Sequence, residues 1–209
     1  HGIAASIWIT LVAAQSWTAQ RRHFVWHAAA GKASLLLFPF LIAGLAAIID
    51  LTAKGYVAGD GAARALFGGS FLNGLVLAIA AYILLYYRAL KNRRKVWLHS
   101  GYMLATPLIL WESPFSRLLI QFVPGLGISG PQDFPHIIES ILWGMASAVA
   151  FCLFVRWRVG ARAQPFLVAA LFIIAQMVAM GLLGDLQIVR FTLTALGQLP
   201  SSLLVAAGF

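Results

Sequence analysis

The stretch LFGGSFLNGLVLAIAAYILLYYRALKNRRKVWLHSGYML, residues 66–104, decides the fold class. An apolar run from Leu66 to Tyr87 stops at a basic turn, Arg88 to Lys95, and a second apolar run starts at Trp97. At about 1.5 Å of rise per residue, a run of this length matches a hydrocarbon layer about 30 Å thick, where a helix satisfies its own backbone. Comparable runs cover residues 3–20, 27–49, 97–111, 136–155 and 163–184, so six membrane spans are expected. Composition agrees: with 61% hydrophobic and 10% charged residues, the chain has too little polar surface to cover a water-soluble globule. Long alternating strands are absent, so the expected fold is all-α, a polytopic transmembrane helix bundle, and not a barrel.

The charges between the runs sort by side. Alternate connections collect Arg21, Arg22, Lys32, Arg88, Lys91, Arg93, Arg94, Lys95, Arg156, Arg158 and Arg162 without one acid. The opposite connections hold Asp50, Asp60, Glu112, Asp133, Glu139 and Asp185, with Lys54, Arg64, Arg117 and Arg190. Lysine and arginine near span ends stay on the cytoplasmic side, so the basic face is expected inside and the N-terminus outside. Topology and contact with anionic membrane lipids account for the net charge of +9, and nucleic acid is not expected as a partner.

Residues 51–65 hold several glycines and read as an outer loop, and PGLGISGPQDFP, residues 124–135, is the clearest break in the chain. Pro39 is placed to kink the second span, while Gly68, Gly69 and Gly74 suit close helix packing. Asn73, Gln15 and Gln176 are polar enough to line a small pocket or to bridge helices. Trp17, Trp26, Trp97 and Trp157 fall where an inner aromatic belt would lie. Residues 1–185 form the bundle, and the tail 186–209 reads either as a seventh span or as an outer-face interfacial helix. The single Cys152 leaves no intrachain disulfide and no cysteine-cluster metal site.

The histidines carry the most specific signal. His27 follows Arg22 by five residues and His99 follows Lys95 by four, which places both about 6 to 8 Å above the inner charge layer. A haem b in a helix bundle needs axial imidazoles from two helices at one depth, small residues beside them and cations for its propionates. Gly31 and Gly101 lie close to the two histidines, and Arg22, Arg93, Arg94 and Lys95 supply a cationic rim. His1 and His136 form a looser pair at the outer starts of the first and fifth spans. Histidine also suits the membrane interface as such, so interfacial anchoring competes with ligation. His23 reads as a solvated loop residue.

The outer face offers a weaker metal signal in His136 and Glu139, three residues apart on one helical face, with Glu112 at the end of the fourth span. The Glu-x-x-His spacing of carboxylate-bridged di-metal bundles is reversed here and occurs once. Acids at a helix start explain Glu139 equally well, and a proton relay is the other use of such groups. Phosphate-binding glycine loops, zinc helices of the His-Glu-x-x-His type and a nucleophile with its base are not present.

From residue 1 to residue 117, the order of a histidine opening the first span, QRRHFVWHAAAGKASL at the first inner turn, LLYYRALKNRRKVWLHSGYML at the second and then SRLL resembles families of small bacterial inner-membrane proteins of unknown function. Their basic turns precede a His-x-x-x-Gly and later a His-x-x-x-Met helix start, here His27 with Gly31 and His99 with Met103. The resemblance implies a bacterial inner membrane and weight on the two inner histidines, and no reaction. A second similarity, of layout, is to di-haem b-type transmembrane cytochromes, whose bundles carry histidine pairs near both faces. It implies His27 with His99 and His1 with His136 as haem ligands, although the outer histidines stand at helix starts and not inside spans.

Three functions follow as expectations. The first is a haem protein passing electrons to or from quinone or a protein partner. The second is a non-catalytic accessory subunit packed against other membrane subunits. The third is a small transporter, which paired interior charges or inverted repeats would have favoured.

Overall fold

A computed structural model of the chain describes residues 2–200. Among these residues the structure is helical throughout, without strands: α1 (Gly2–Gln20), α2 (Phe24–Ala58), α3 (Ala62–Lys91), α4 (Val96–Ala105), α5 (Glu112–Phe122), α6 (Pro135–Val159), α7 (Gln164–Leu182) and α8 (Gln187–Gly197). Four stretches are long and apolar enough to cross a membrane: Gly2–Gln20, Phe24–Ala58, Ala62–Lys91 and Pro131–Leu182. They mark a membrane protein. The last stretch contains both α6 and α7, which a 3-10 turn at Gly160–Ala163 joins and which pack along each other.

Proline sets several boundaries. Pro135 and Pro165 stand in the first turns of α6 and α7, where the missing N–H has no helical partner to lose. Pro107 and Pro114 break the fourth apolar run into α4, a 3-10 turn over Thr106–Leu110, and α5. Pro107 withdraws the donor that Met103 O would have received in a regular helix, and the Thr106 hydroxyl donates to that carbonyl at 2.8 Å. Trp8 Nε1–H of α1 in turn donates to Thr106 Oγ1 at 3.0 Å, so the first helix braces the break. Pro39 lies inside α2 without ending it.

The core runs through Trp8 on α1, Leu41 and Leu45 on α2, Tyr82 and Leu85 on α3, Tyr102 and Ile109 around the break, Cys152 on α6 and Ile173 on α7. Trp8 meets Tyr86 edge-on at 5.4 Å between ring centres, and Tyr86 stacks on Phe38 at 4.2 Å. α3 is the hub, packing against α2, α4 and α7, while α6 packs against α5 and α7. Its outer half approaches closely because it is built of glycine: a side chain at Gly69 would overlap the Gly184 carbonyl, and one at Gly74 would meet Met180 Sδ at 2.6 Å.

One sequence expectation changes, and another falls partly outside the described residues. Residues 51–65 are not a loop, because α2 runs to Ala58 and α3 starts at Ala62. Asp50 and Lys54 pair at 2.6 Å one helical turn apart, which extends α2 past its apolar part, and the turn itself needs only Gly59 and Gly61, both with positive φ. Within the tail, α8 is a helix of 11 residues, about 16 Å long and too short to span a bilayer. It lies against α2 and α3, with Leu193 fully buried among Ala53 and Leu72. Residues 201–209, the rest of the tail read either as a seventh span or as an outer-face interfacial helix, lie outside the described residues.

Candidate functional site at the inner ends of the second and fourth helices

α1 and α3 each pack against both α2 and α4, and His27 and His99 project from α2 and α4 into the space they share. Their ring centres are 6.3 Å apart and their planes lie at 79°. His27 Nδ1 is 3.2 Å from Gln15 O on α1, and His99 Nδ1 is 2.9 Å from Ala89 O on α3. A carbonyl only accepts, so each Nδ1 carries the proton and each Nε2 keeps a lone pair. A backbone carbonyl on Nδ1–H is the outer-shell arrangement that fixes the tautomer and the ring orientation of metal-ligating histidine.

Both rings are half-buried. Gln15 holds the first turn of α2 a second time, its Nε2 donating to His27 O at 3.0 Å. Deeper in the bundle, Ser34 Oγ and Tyr86 Oη share a hydrogen bond of 2.8 Å. Toward the inner surface, Leu90, Lys91, Asn92, Arg93, Arg94 and Lys95 line a recess of about 520 Å³ directly after Ala89. Arg22 closes the α1–α2 turn with a φ of +57° and is exposed.

The glycines beside the histidines face neighbouring helices. A side chain at Gly31 would make an ordinary contact with Gln15 Nε2 at 3.4 Å, and one at Gly101 would meet Pro165 Cγ at 2.9 Å. Gly101 lets α7 approach. His23 is exposed in the turn and its ring lies 5.8 Å from that of Trp17. Trp17, Trp26, Trp97 and Trp157 are all exposed, as a belt requires, and Arg162 lies over the Trp97 ring at 5.4 Å.

The outer candidates do not assemble. His136 Nδ1 makes a long contact of 3.4 Å to Gly127 O, Glu139 is exposed, and Glu112 packs near Gly144, two turns further along α6. Among the described residues no group of three or more His, Cys, Asp or Glu gathers at metal-binding distance. His1, the expected partner of His136, lies outside the described residues. Asn73 and Gln176 bridge helices α3 and α7, Asn73 Nδ2 donating to Ala179 O at 3.1 Å and Gln176 Nε2 to Gly74 O at 3.0 Å.

Sequence reasoning passed over Ala89 and the carbonyl side of Gln15, because a backbone acceptor leaves no mark in residue type. It also passed over Trp8, Tyr82 and Tyr86, whose burial depends on which helices become neighbours. Comparison with known proteins returns nothing: no protein family, curated sequence or solved structure matches the chain.

Proposed function

We propose that this chain is a membrane-embedded b-type haem protein for electron transfer, in which His27 and His99 would hold one haem near the inner face. The observation that carries the reading is the facing pair of imidazoles, each oriented through Nδ1 by a carbonyl of a third helix. The two imidazoles, with ring centres 6.3 Å apart, would hold the haem iron. Arg93, Arg94 and Lys95 around the inner recess suit the propionates, and haem when bound supplies one-electron chemistry. Quinone or a redox protein is the exchange partner that a membrane setting allows. In this reading the chain crosses a bacterial inner membrane six times with its N-terminus outside, α4, the 3-10 turn and α5 together forming the fourth span.

The test is an absorption spectrum of protein purified from haem-replete cells, oxidised and then reduced. A reduced-haem band is expected, lost in His27→Ala and in His99→Ala and kept in His23→Ala. A wild-type protein without the band would return both histidines to interfacial roles.

A second reading, an accessory subunit of a larger membrane complex, draws on α8. It presents Ile188 and Phe191 outward, 67% and 70% exposed, which either lipid headgroups or another subunit would cover. Native mass measurement of the detergent-purified protein separates these: a monodisperse monomer without a co-purifying chain argues against the subunit.

A further inference from the structure

We propose that Glu112 is a reversible proton-binding site inside the membrane, reached from the outer face. The inference rests on the membrane reading and is independent of the haem.

Glu112 is unlike the other acids of the chain. Asp50, Asp60 and Asp185 pair with Lys54, Arg64 and Arg190 at the outer ends of helices, Asp133 Oδ2 accepts the backbone N–H groups of Ser129 and Gly130, and Glu139 is exposed. Glu112 makes no ion pair among the described residues. Its backbone lies against Gly144, where an added Cβ would meet Glu112 Cα at 2.8 Å. Gly144 is nine residues, about 14 Å, inside the outer start of α6. A carboxylate at that depth is costly unless it is paired or protonated, and intramembrane acids of this kind mark ion and proton paths.

The surroundings point to a proton as the occupant. Glu112 opens α5 at the break in the fourth span, and irregular backbone at membrane depth persists where it lines a polar site. Tyr82 of α3 is 1% exposed and its hydroxyl makes no hydrogen bond among the described residues. Ser140 Oγ, one turn from Gly144 on the same face of α6, is buried and also without a partner. Other titratable or charged groups on the two helices are Arg117 on α5 and, on α6, Cys152 two turns inward from Gly144, His136 two turns outward and the exposed Glu139. Arg117 is turned to Ser113, donating to its carbonyl and to its hydroxyl at 2.6 Å each, and leaves the carboxyl unpaired. Ser113, Ser116 and Arg117 continue a polar face of α5 from Glu112 toward the outer loop, a path for protons from that side.

The test is labelling by a membrane-permeant carbodiimide on the full chain in vesicles. The O–H of a protonated carboxyl adds across one C=N bond of the reagent, and the acyl group then shifts from oxygen to nitrogen, leaving a stable N-acylurea with no leaving group. The adduct should map to Glu112 by peptide mass, fall as the pH is raised from about 5 to about 9, and vanish in Glu112→Gln. No labelling of Glu112, labelling that ignores pH, or equally fast labelling by a water-soluble carbodiimide overturns the proposal. Protection by added Na⁺ at fixed pH replaces the proton with a metal cation. The spectrum of Glu112→Gln should keep the haem band, so failure here leaves the haem reading to stand on its own test.

Discussion

The imidazoles of His27 and His99 meet edge-on at the basic end of the bundle, 6.3 Å between ring centres, although 72 positions separate them in the chain. Neither ring is free to turn, since Gln15 O and Ala89 O hold the two Nδ1 atoms.

The two glycines near this pair should respond differently to alanine. At Gly31 the new Cβ meets only the end of the Gln15 side chain at 3.4 Å, an ordinary contact. At Gly101 it meets Pro165 Cγ at 2.9 Å and Cβ at 3.3 Å, and a proline ring has no rotamer by which to withdraw. Gly101→Ala should therefore push α4 from α7, displace His99 and lower the thermal stability in detergent by about 1 to 3 kcal/mol, together with the fraction of protein holding haem. Gly31→Ala should be near neutral on both measures. Equal effects would show that the α4–α7 contact does not position the ring.

Gly69 and Gly181 make a second contrasting pair. A Cβ at Gly69 would overlap the backbone carbonyl of Gly184, whereas one at Gly181 has nothing within 4 Å. Gly69→Ala should separate α3 from the end of α7 and lower the unfolding midpoint by several degrees. Gly181→Ala should leave it unchanged or raise it slightly, since alanine loses less backbone entropy in a helix. Scanning calorimetry of the three proteins in one detergent decides the matter.

The elements were largely legible because apolar length and basic turns are local signals. Arg88 to Lys95 marks one inner turn as plainly as any motif could, and matched spacing from the charge layer brought His27 and His99 to one depth before any helix was placed. The end of α2 was not legible. Gly55 looked like a loop residue, yet it is buried beneath Arg64 of the next helix, a contact that exists only after the hairpin closes. The neighbour of Gly101 was not legible for the same reason: a glycine announces close approach without saying what approaches. Trp8 reads as one more apolar residue until Thr106 arrives to accept its N–H.

That contact gives the third prediction. Thr106→Val keeps the shape of the side chain but strands the Trp8 N–H and withdraws the hydroxyl from Met103 O. Leaving buried polar groups unpaired costs about 1 to 3 kcal/mol. Thr106→Ser should recover most of that loss, and Trp8→Phe combined with Thr106→Val should cost less than the sum of the two single changes, because each removes the same bond. Additive losses in chemical or thermal unfolding would show that the bond between α1 and the break contributes nothing beyond packing.

The last prediction concerns orientation. The ends of helices α1, α3 and α6 and the starts of α2, α4 and α7 carry eleven basic residues and no acid, and the opposite ends carry five of the six acids, Glu112 lying within the fourth span. Retention of lysine and arginine on the cytoplasmic side makes the first face the inner one. Asp60 and Arg93 are both exposed, in the turns between α2 and α3 and between α3 and α4, so cysteines placed there should react without disturbing the fold. In a Cys152→Ser background, an impermeant maleimide added to intact cells should label Asp60→Cys at once and Arg93→Cys only after permeabilisation. Label reaching position 93 in sealed cells would invert the map, place the His27–His99 pair at the outer face, and turn the path from Glu112 toward the cytoplasm.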